Sequence, residues 1–191
     1  MNERKIIFEP RDDEELKEAT LHKVPIHKYS DLVKMGEKHG PQALLSHMFR
    51  QAKDHIILLQ NPKNMNSGHW FSVSCRPNHK QIYFFSTYGK KPDIEKMEWM
   101  DEDDLRESGQ LLNIFNEGMR EMQKHGWEIH FNDHKYQDER DKTATCGIYT
   151  VAFIRGKDDP ETFYKKTQEI REQLGGKDPA LYYYKLYFDK H

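Results

Sequence analysis

Two cysteines in 191 residues, Cys75 and Cys146, are too few for a disulfide framework, and with no C-x-x-C pair neither begins a zinc site. Long apolar runs are missing too: the longest clean stretch lies near Ile56 to Leu59, far short of the roughly 18 residues of a membrane-spanning helix. Met1 to Glu15 is too charged for a signal peptide. Charge of one sign is not in excess, since 30 Lys and Arg face 32 Asp and Glu, for a formal net charge of -2. A pI near 6.6 then argues against a protein that works by coating nucleic acid. Internal repeats and low-complexity segments are absent. The expectation is a soluble, intracellular, non-secreted protein with no membrane partner, whose thiols are reduced and either buried or reactive.

Charged residues make up 32% of the chain and the mean hydropathy is -1.01, values that would suit disorder. Aromatic residues at 12% and near-balanced charge oppose that reading, because disordered chains are poor in aromatics and carry strong net charge. One folded domain over 1–191 is expected, with residues 1–20, acidic at Asp12 to Glu15, as a solvated arm or opening helical turn.

Apolar residues from Leu32 to Phe49 recur at three- and four-residue spacing and are interrupted by Gly40-Pro41, which predicts two short helices over 30–52. His55 to Leu59 reads as a buried strand, followed by a loop over 61–68. Trp70 to Arg76 and Gln81 to Tyr88 flank the turn Pro77 to Lys80 and read as a hairpin. Between Asp93 and Glu107 eight carboxylates accompany only Lys96 and Arg106, the pattern of a solvated helix face. A helical stripe from Leu105 to Met122 and a strand from Trp127 to Phe131 follow. Thr145 to Ile154 is apolar all round and fits either a strand or a central buried helix; Leu181 to Phe188 is open in the same way. Asp159-Pro160 starts a helix that Gly175-Gly176 stops.

A cysteine nucleophile needs a thiolate, which a histidine partner or a helix N-terminus favours. Cys146 lies between the small polar stretch Lys142 to Thr145 and Gly147, so a helix beginning there places the thiol in its first turn. Among 11 histidines, His69 is the one that closes a Gly-containing loop and opens a strand. If Arg76 pairs with Gln81, His69 and Ser86 share a face as diagonal neighbours about 7–8 Å apart at the backbone, and a one-residue register change would substitute Thr87. Gln137 could donate to an oxyanion together with the backbone N–H of Cys146. His130 and His134 have H-x3-H spacing but no nearby cysteine pair, which leaves no metal site expected.

Gly68-His69-Trp70, Ile82 to Gly89, Tyr136-Gln137 and Thr145 to Tyr149, in this order, resemble the adenain-like cysteine proteases of adenoviruses, virophages and large DNA viruses, and more distantly the proteases of SUMO and ubiquitin-like proteins. The resemblance spans about Ser67 to Ile154, with an echo at Pro160 to Tyr164. It implies a papain-like α+β fold, in which a mixed sheet packs on a central helix that starts at the nucleophile. His69 would be the general base, Cys146 the nucleophile, Gln137 an oxyanion-hole residue and Trp70 the substrate-binding residue over a narrow tunnel for small residues. The family's third member falls at Ser86, a hydroxyl where an acid or amide is usual, so Asp133 and Glu128 stand as substitutes beside Thr87. The nine residues from Gln137 to Cys146 are slightly more than the family usually has. The implied activity is endoproteolysis of viral capsid or core precursors after Gly-type residues, by a monomer without cofactor, in the virion, the host cytoplasm or a viral factory. A peptide activator would be in keeping with adenovirus-type relatives, while the near-neutral charge makes a DNA cofactor doubtful. The alternatives are a deconjugating protease of ubiquitin-like modifiers and a degenerate protease kept as a binding module.

Overall fold

Strands built from alternating apolar residues form the middle layer: β1 (Ile26–Lys28), β2 (Asp54–Asn61), β3 (Asn64–Arg76), β4 (Gln81–Phe85) and β5 (Glu128–Phe131). They lie in sheet order β1-β2-β3-β4-β5 in a computed structural model that describes residues 2–137 and 143–189. Lys142, at the head of the polar stretch before Cys146, falls outside the described residues. The sheet is mixed, with β1 parallel to β2, β4 parallel to β5, and β2, β3 and β4 antiparallel in turn.

Arg76 pairs with Gln81, as the turn at Pro77 to Lys80 requires, with Lys80 taking the left-handed conformation at φ 51°. β4 stops at Phe85, three residues earlier than its β propensity suggests. The segment over 61–68 is not a loop: from Asn64 onward it belongs to β3 and pairs back on β2 through a register shift at Gln60/Asn61. Gly68 makes that shift possible, since at φ 154° a Cβ would collide with the Leu59 carbonyl.

The helices are α1 (Glu3–Phe8), α2 (Asp13–Ala19), α3 (Tyr29–His39), α4 (Pro41–Gln51), α5 (Ile94–Trp99), α6 (Glu102–Glu107), α7 (Ile114–Lys124), α8 (Cys146–Gly156), α9 (Pro160–Gln173) and α10 (Ala180–Tyr187). Period-2 alternation divides them between two faces of the sheet. Ile57, Leu59, Phe71, Val73, Ile82 and Phe84 pack against α3, α4 and α7. Ile56, Leu58 and Trp70 face α8 and α2, while Tyr83 and Phe85 face α8, α9 and α10. The ambiguous segment is therefore a helix: Cys146 to Ile154 are all buried because α8 is enclosed by the sheet on one side and by α2, α9 and α10 on the others. Its β-branched residues lose little from this, since tertiary burial outweighs their propensity of a few tenths of a kcal/mol. α10 resolves the second ambiguity the same way.

Two further expectations are corrected. The first 20 residues are not a solvated arm: Ile6, Leu16 and Ala19 are buried, α2 carries a capping box between Asp12 and Glu15, and Ala144 N–H donates to the Ile7 carbonyl at 2.7 Å. The acidic run from Asp93 is not one solvated helix but two short ones, α5 and α6, and Asp93, Glu95 and Lys96 at its start are buried.

Candidate active site

Pairing of β3 with β4 ends at Ser72 opposite Phe85, so residues 68–71 of β3 have β2 on one side and no strand on the other. Helix α8 uses the opening. The Thr150 hydroxyl donates to the Trp70 carbonyl at 3.2 Å, and the backbone amides of Trp70 and Gly147 favour the anionic form of the Cys146 sulfur. Cys146 and Thr150 are one helical turn apart, so both peptide groups of Trp70 are claimed by one face of α8. This docks the first residue of the helix one peptide away from His69.

His69 is 2% exposed and sits on the opposite face of β3, which it shares with Phe71 and Val73. Its Nε2 lies 3.1 Å from the Ser86 hydroxyl and 3.4 Å from Glu95 Oε2, and the Ser86 hydroxyl donates a short hydrogen bond to Glu95 Oε1. Tyr88 N–H donates to the same hydroxyl at 3.3 Å. The hydroxyl has one proton to give, and Glu95 receives it; its acceptor sites are left for Tyr88 N–H and Nε2–H. That network assigns the proton of a neutral imidazole to Nε2 and leaves Nδ1 a bare acceptor, which is buried without a hydrogen-bond partner among the described residues. Tyr88 stacks on the ring at 4.5 Å and Trp99 meets it edge-on at 5.4 Å. Ser86 is held in turn by Asn132, whose Oδ1 accepts from Ser86 N–H at 2.9 Å and whose amide donates to the Ser86 carbonyl at 2.7 Å.

Burial governs the electrostatics. It pushes the Cys146 thiol up to about 11, with the Glu95 charge adding to the rise and the backbone hydrogen bonds opposing it. It pulls His69 down to about 3. The expected lowering of the thiol by the helix start is thus overridden, although Thr145 at the N-cap makes no side-chain cap bond to α8. At rest the pair is a neutral thiol, 8% exposed, and a neutral imidazole.

Gln137 is placed beside the loop that leads into α8: its amide donates to the Thr143 carbonyl, and its Oε1 accepts from the Thr87 hydroxyl at 3.2 Å. Thr87 therefore serves Gln137 while Ser86 faces His69, which excludes the shifted register. Glu128 bonds Gln81 and His130 on the outer edge of β5, and Asp133 lies against His134, so neither supplies the acid proposed for it. Trp70 packs on Gly147, its indole N–H donating to the Arg11 carbonyl at 3.0 Å beneath the N-terminal segment. A cleft of about 540 Å³ opens on the imidazole side, lined by Asn61, Gly68, Tyr88, Trp99 and Met100.

Glu95, 4% exposed, is the residue that sequence reasoning missed. The available signal was the apolar set Ile94, Met97, Trp99 and Met100 inside the acidic run, which marks a packed helix. On α5 Glu95 and Trp99 are four residues apart, on one face, and both meet His69.

No family model matches the sequence, and no curated protein matches it. Solved structures of the SUMO protease Ulp1 do. A C-terminal Ulp1 protease domain in complex with Smt3, the yeast ortholog of SUMO, is 15% identical with a TM-score of 0.38, over 75% of this chain and 63% of that one. Ulp1 with its catalytic cysteine oxidised to a sulfinic acid is 16% identical with a TM-score of 0.39, over 75% and 64%. The chain spans less than two thirds of the length of these structures.

Proposed function

We propose that the chain is a cysteine peptidase in which Cys146 is the nucleophile and His69 the base. The carrying observation is the orientation of the imidazole: Nε2 is tied to Ser86 and Glu95, so Nδ1 is the nitrogen left to take a proton, next along β3 to Trp70, whose carbonyl accepts from Thr150 of α8 and whose amide favours the Cys146 thiolate. Because the resting pair is neutral, proton transfer accompanies attack. The thiol proton passes to Nδ1 as sulfur bonds the carbonyl carbon; the imidazolium then protonates the departing amine and a thioester remains. Water attacks the thioester, giving its proton to Nδ1, and the acid and the thiol are released. The first-turn N–H groups of α8 and the amide of Gln137, which is held against the loop leading into that helix, would serve the oxyanion.

The close approach of α8 to β3 at Trp70 would suit a polypeptide with a small, Gly-type residue before the scissile bond. An extended tail of a ubiquitin-like modifier and a linker of a viral capsid or core precursor both present such a segment. The burial of the thiol favours a second reading, a binding module without turnover.

The test offers the purified protein two substrates, a ubiquitin-like modifier joined through Gly-Gly to a reporter and an unfolded peptide with Gly at the cleavage point, with mass spectrometry of the products. Cleavage lost in Cys146→Ala, reduced about 100-fold or more in His69→Ala, and retained in Cys75→Ala is the expected result. Preference for the folded modifier assigns deconjugation, preference for the peptide assigns precursor processing, and cleavage of neither, with reversible binding to one, assigns the binding module.

A further inference from the structure

Two groups converge on one nitrogen of His69, and they come from separate parts of the chain. Ser86 follows β4, where the family pattern would have an acid or amide; the carboxylate comes instead from α5, nine residues later. Glu95 Oε1 accepts the Ser86 proton while Glu95 Oε2 stands 3.4 Å from His69 Nε2, so one carboxylate spans both the hydroxyl and the imidazole. A carboxylate buried to 4% exposure is costly unless it meets hydrogen-bond donors or a cation, and both partners here are donors when the imidazole is protonated.

We propose that Glu95, acting with and across Ser86, is the positioning residue of His69, so that the carboxylate absent from the strand is supplied by helix α5. This rests on the reading of Cys146 and His69 as the reacting pair. Glu95 touches neither the thiol's bond-making face nor the substrate; it holds the Nε2–H tautomer and stabilises the imidazolium formed when Nδ1 takes the thiol proton. Its charge also opposes a free thiolate at Cys146, while at 3.4 Å from Nε2 it stabilises the imidazolium that forms together with the thiolate. Of the other ionisable side chains, Tyr88 stacks on the ring, and the thiol at the head of α8 is raised by the Glu95 charge. Lys96, beside Glu95 in sequence, directs its ammonium to the carbonyls of Gln110, Leu111 and Leu112.

The experiment measures iodoacetamide alkylation of Cys146 from pH 5 to 10 by peptide mass spectrometry, with Cys75 as internal reference. Wild type, His69→Ala, Glu95→Gln, Glu95→Asp and the double variant Glu95→Gln/Ser86→Asp are compared, and each is checked for an unchanged Cys75 rate as a measure of intact packing. Glu95→Gln is expected to slow alkylation about tenfold at pH 7 and move its rise about one pH unit upward. Glu95→Asp recovers part of the rate, and Ser86→Asp restores it by placing the acid at the strand. If His69→Ala alkylates like wild type, the Cys-His reading itself fails. If His69→Ala is slow but Glu95→Gln matches wild type, or loses rate with no displacement of the pH profile and no recovery by Ser86→Asp, the reading survives and the role of Glu95 is overturned.

Discussion

His27 and His55 lie 3.0 Å apart through Nε2 and Nδ1, and the other nitrogen of His55 donates to the carbonyls of Met48 and Ala52. His55 Nδ1 must then accept from His27, which makes His55 a neutral ring and places a proton on His27 Nε2. Burial and the neighbouring ring pull His27 from 6.5 to about 4, and burial lowers His55 as well. Each folded value lies below its unfolded one, so the unfolded chain binds more protons as pH falls from 6.5 toward about 4. The stability these groups contribute is complete above pH 6.5 and lost on acidification through that window; His69, pulled to about 3, acts in the same direction. Urea midpoints should therefore drop from pH 7 to pH 5. His27→Gln, whose amide can still donate to His55, should flatten the drop by about one proton. A slope identical to wild type would remove His27 from the account.

Helix α5 has six residues, too few to be stable alone, and its place depends on side chains at its start. Lys96 donates to three carbonyls, at 2.7, 3.0 and 2.6 Å, and lies 4.9 Å from the centre of the Tyr29 ring. Asp93, left-handed at φ 67°, accepts from the Tyr29 hydroxyl at 2.6 Å and from Asn116 N–H at 2.7 Å. Burial draws Lys96 down to about 8, against the opposing pull of Asp93. Lys96→Met should cost about 3 kcal/mol, because three carbonyls and Asp93 lose a buried cation. It should also remove the His69 dependence of Cys146 alkylation by letting Glu95 and Trp99 leave the ring. Loss of stability with the His69 dependence intact would show that the anchor and the site are separate. The hairpin pairing of β3 with β4, and α3, α4, α7 and α9, were legible because turn residues and apolar spacing are local quantities. α5 was not, because the burial of Asp93, Glu95 and Lys96 depends on Tyr29, Ser86 and the 110–112 segment, none of which is near in sequence. The same holds for the N-terminal helices, whose polar composition hides the few contacts, Ile6, Leu16 and Arg11, that tie them to α10, α8 and Trp70. His69 and Ser86 were found through a hairpin register that the structure has, whereas the acid was sought on β5 and lies on α5.

At the scale of the molecule the site is a seam. His69 and Ser86 belong to the face of the sheet covered by α3, α4 and α7, while Cys146 belongs to the face covered by α8, and the proposed reaction joins them where β4 ends before β3 does. Each face therefore has to hold its half of the site in place. On the α8 side that task falls to a buried aromatic cluster, in which Phe85 stacks on Phe153 at 4.5 Å and meets Phe163 edge-on at 5.4 Å. With residues Cys146 to Ile154 all buried, α8 has no exposed stripe along which to open locally, so its amides should exchange hydrogen only through global unfolding. α5, short and carrying exposed Met97, should exchange through smaller openings. Native-state exchange in low denaturant should thus give α8 a dependence equal to that of global unfolding and α5 a weak one, with α5 protection falling further in Lys96→Met. If α8 instead exchanges at the rate of α5, the thiol is carried on a mobile element, and the neutral buried pair of the resting state describes only one of its conformations.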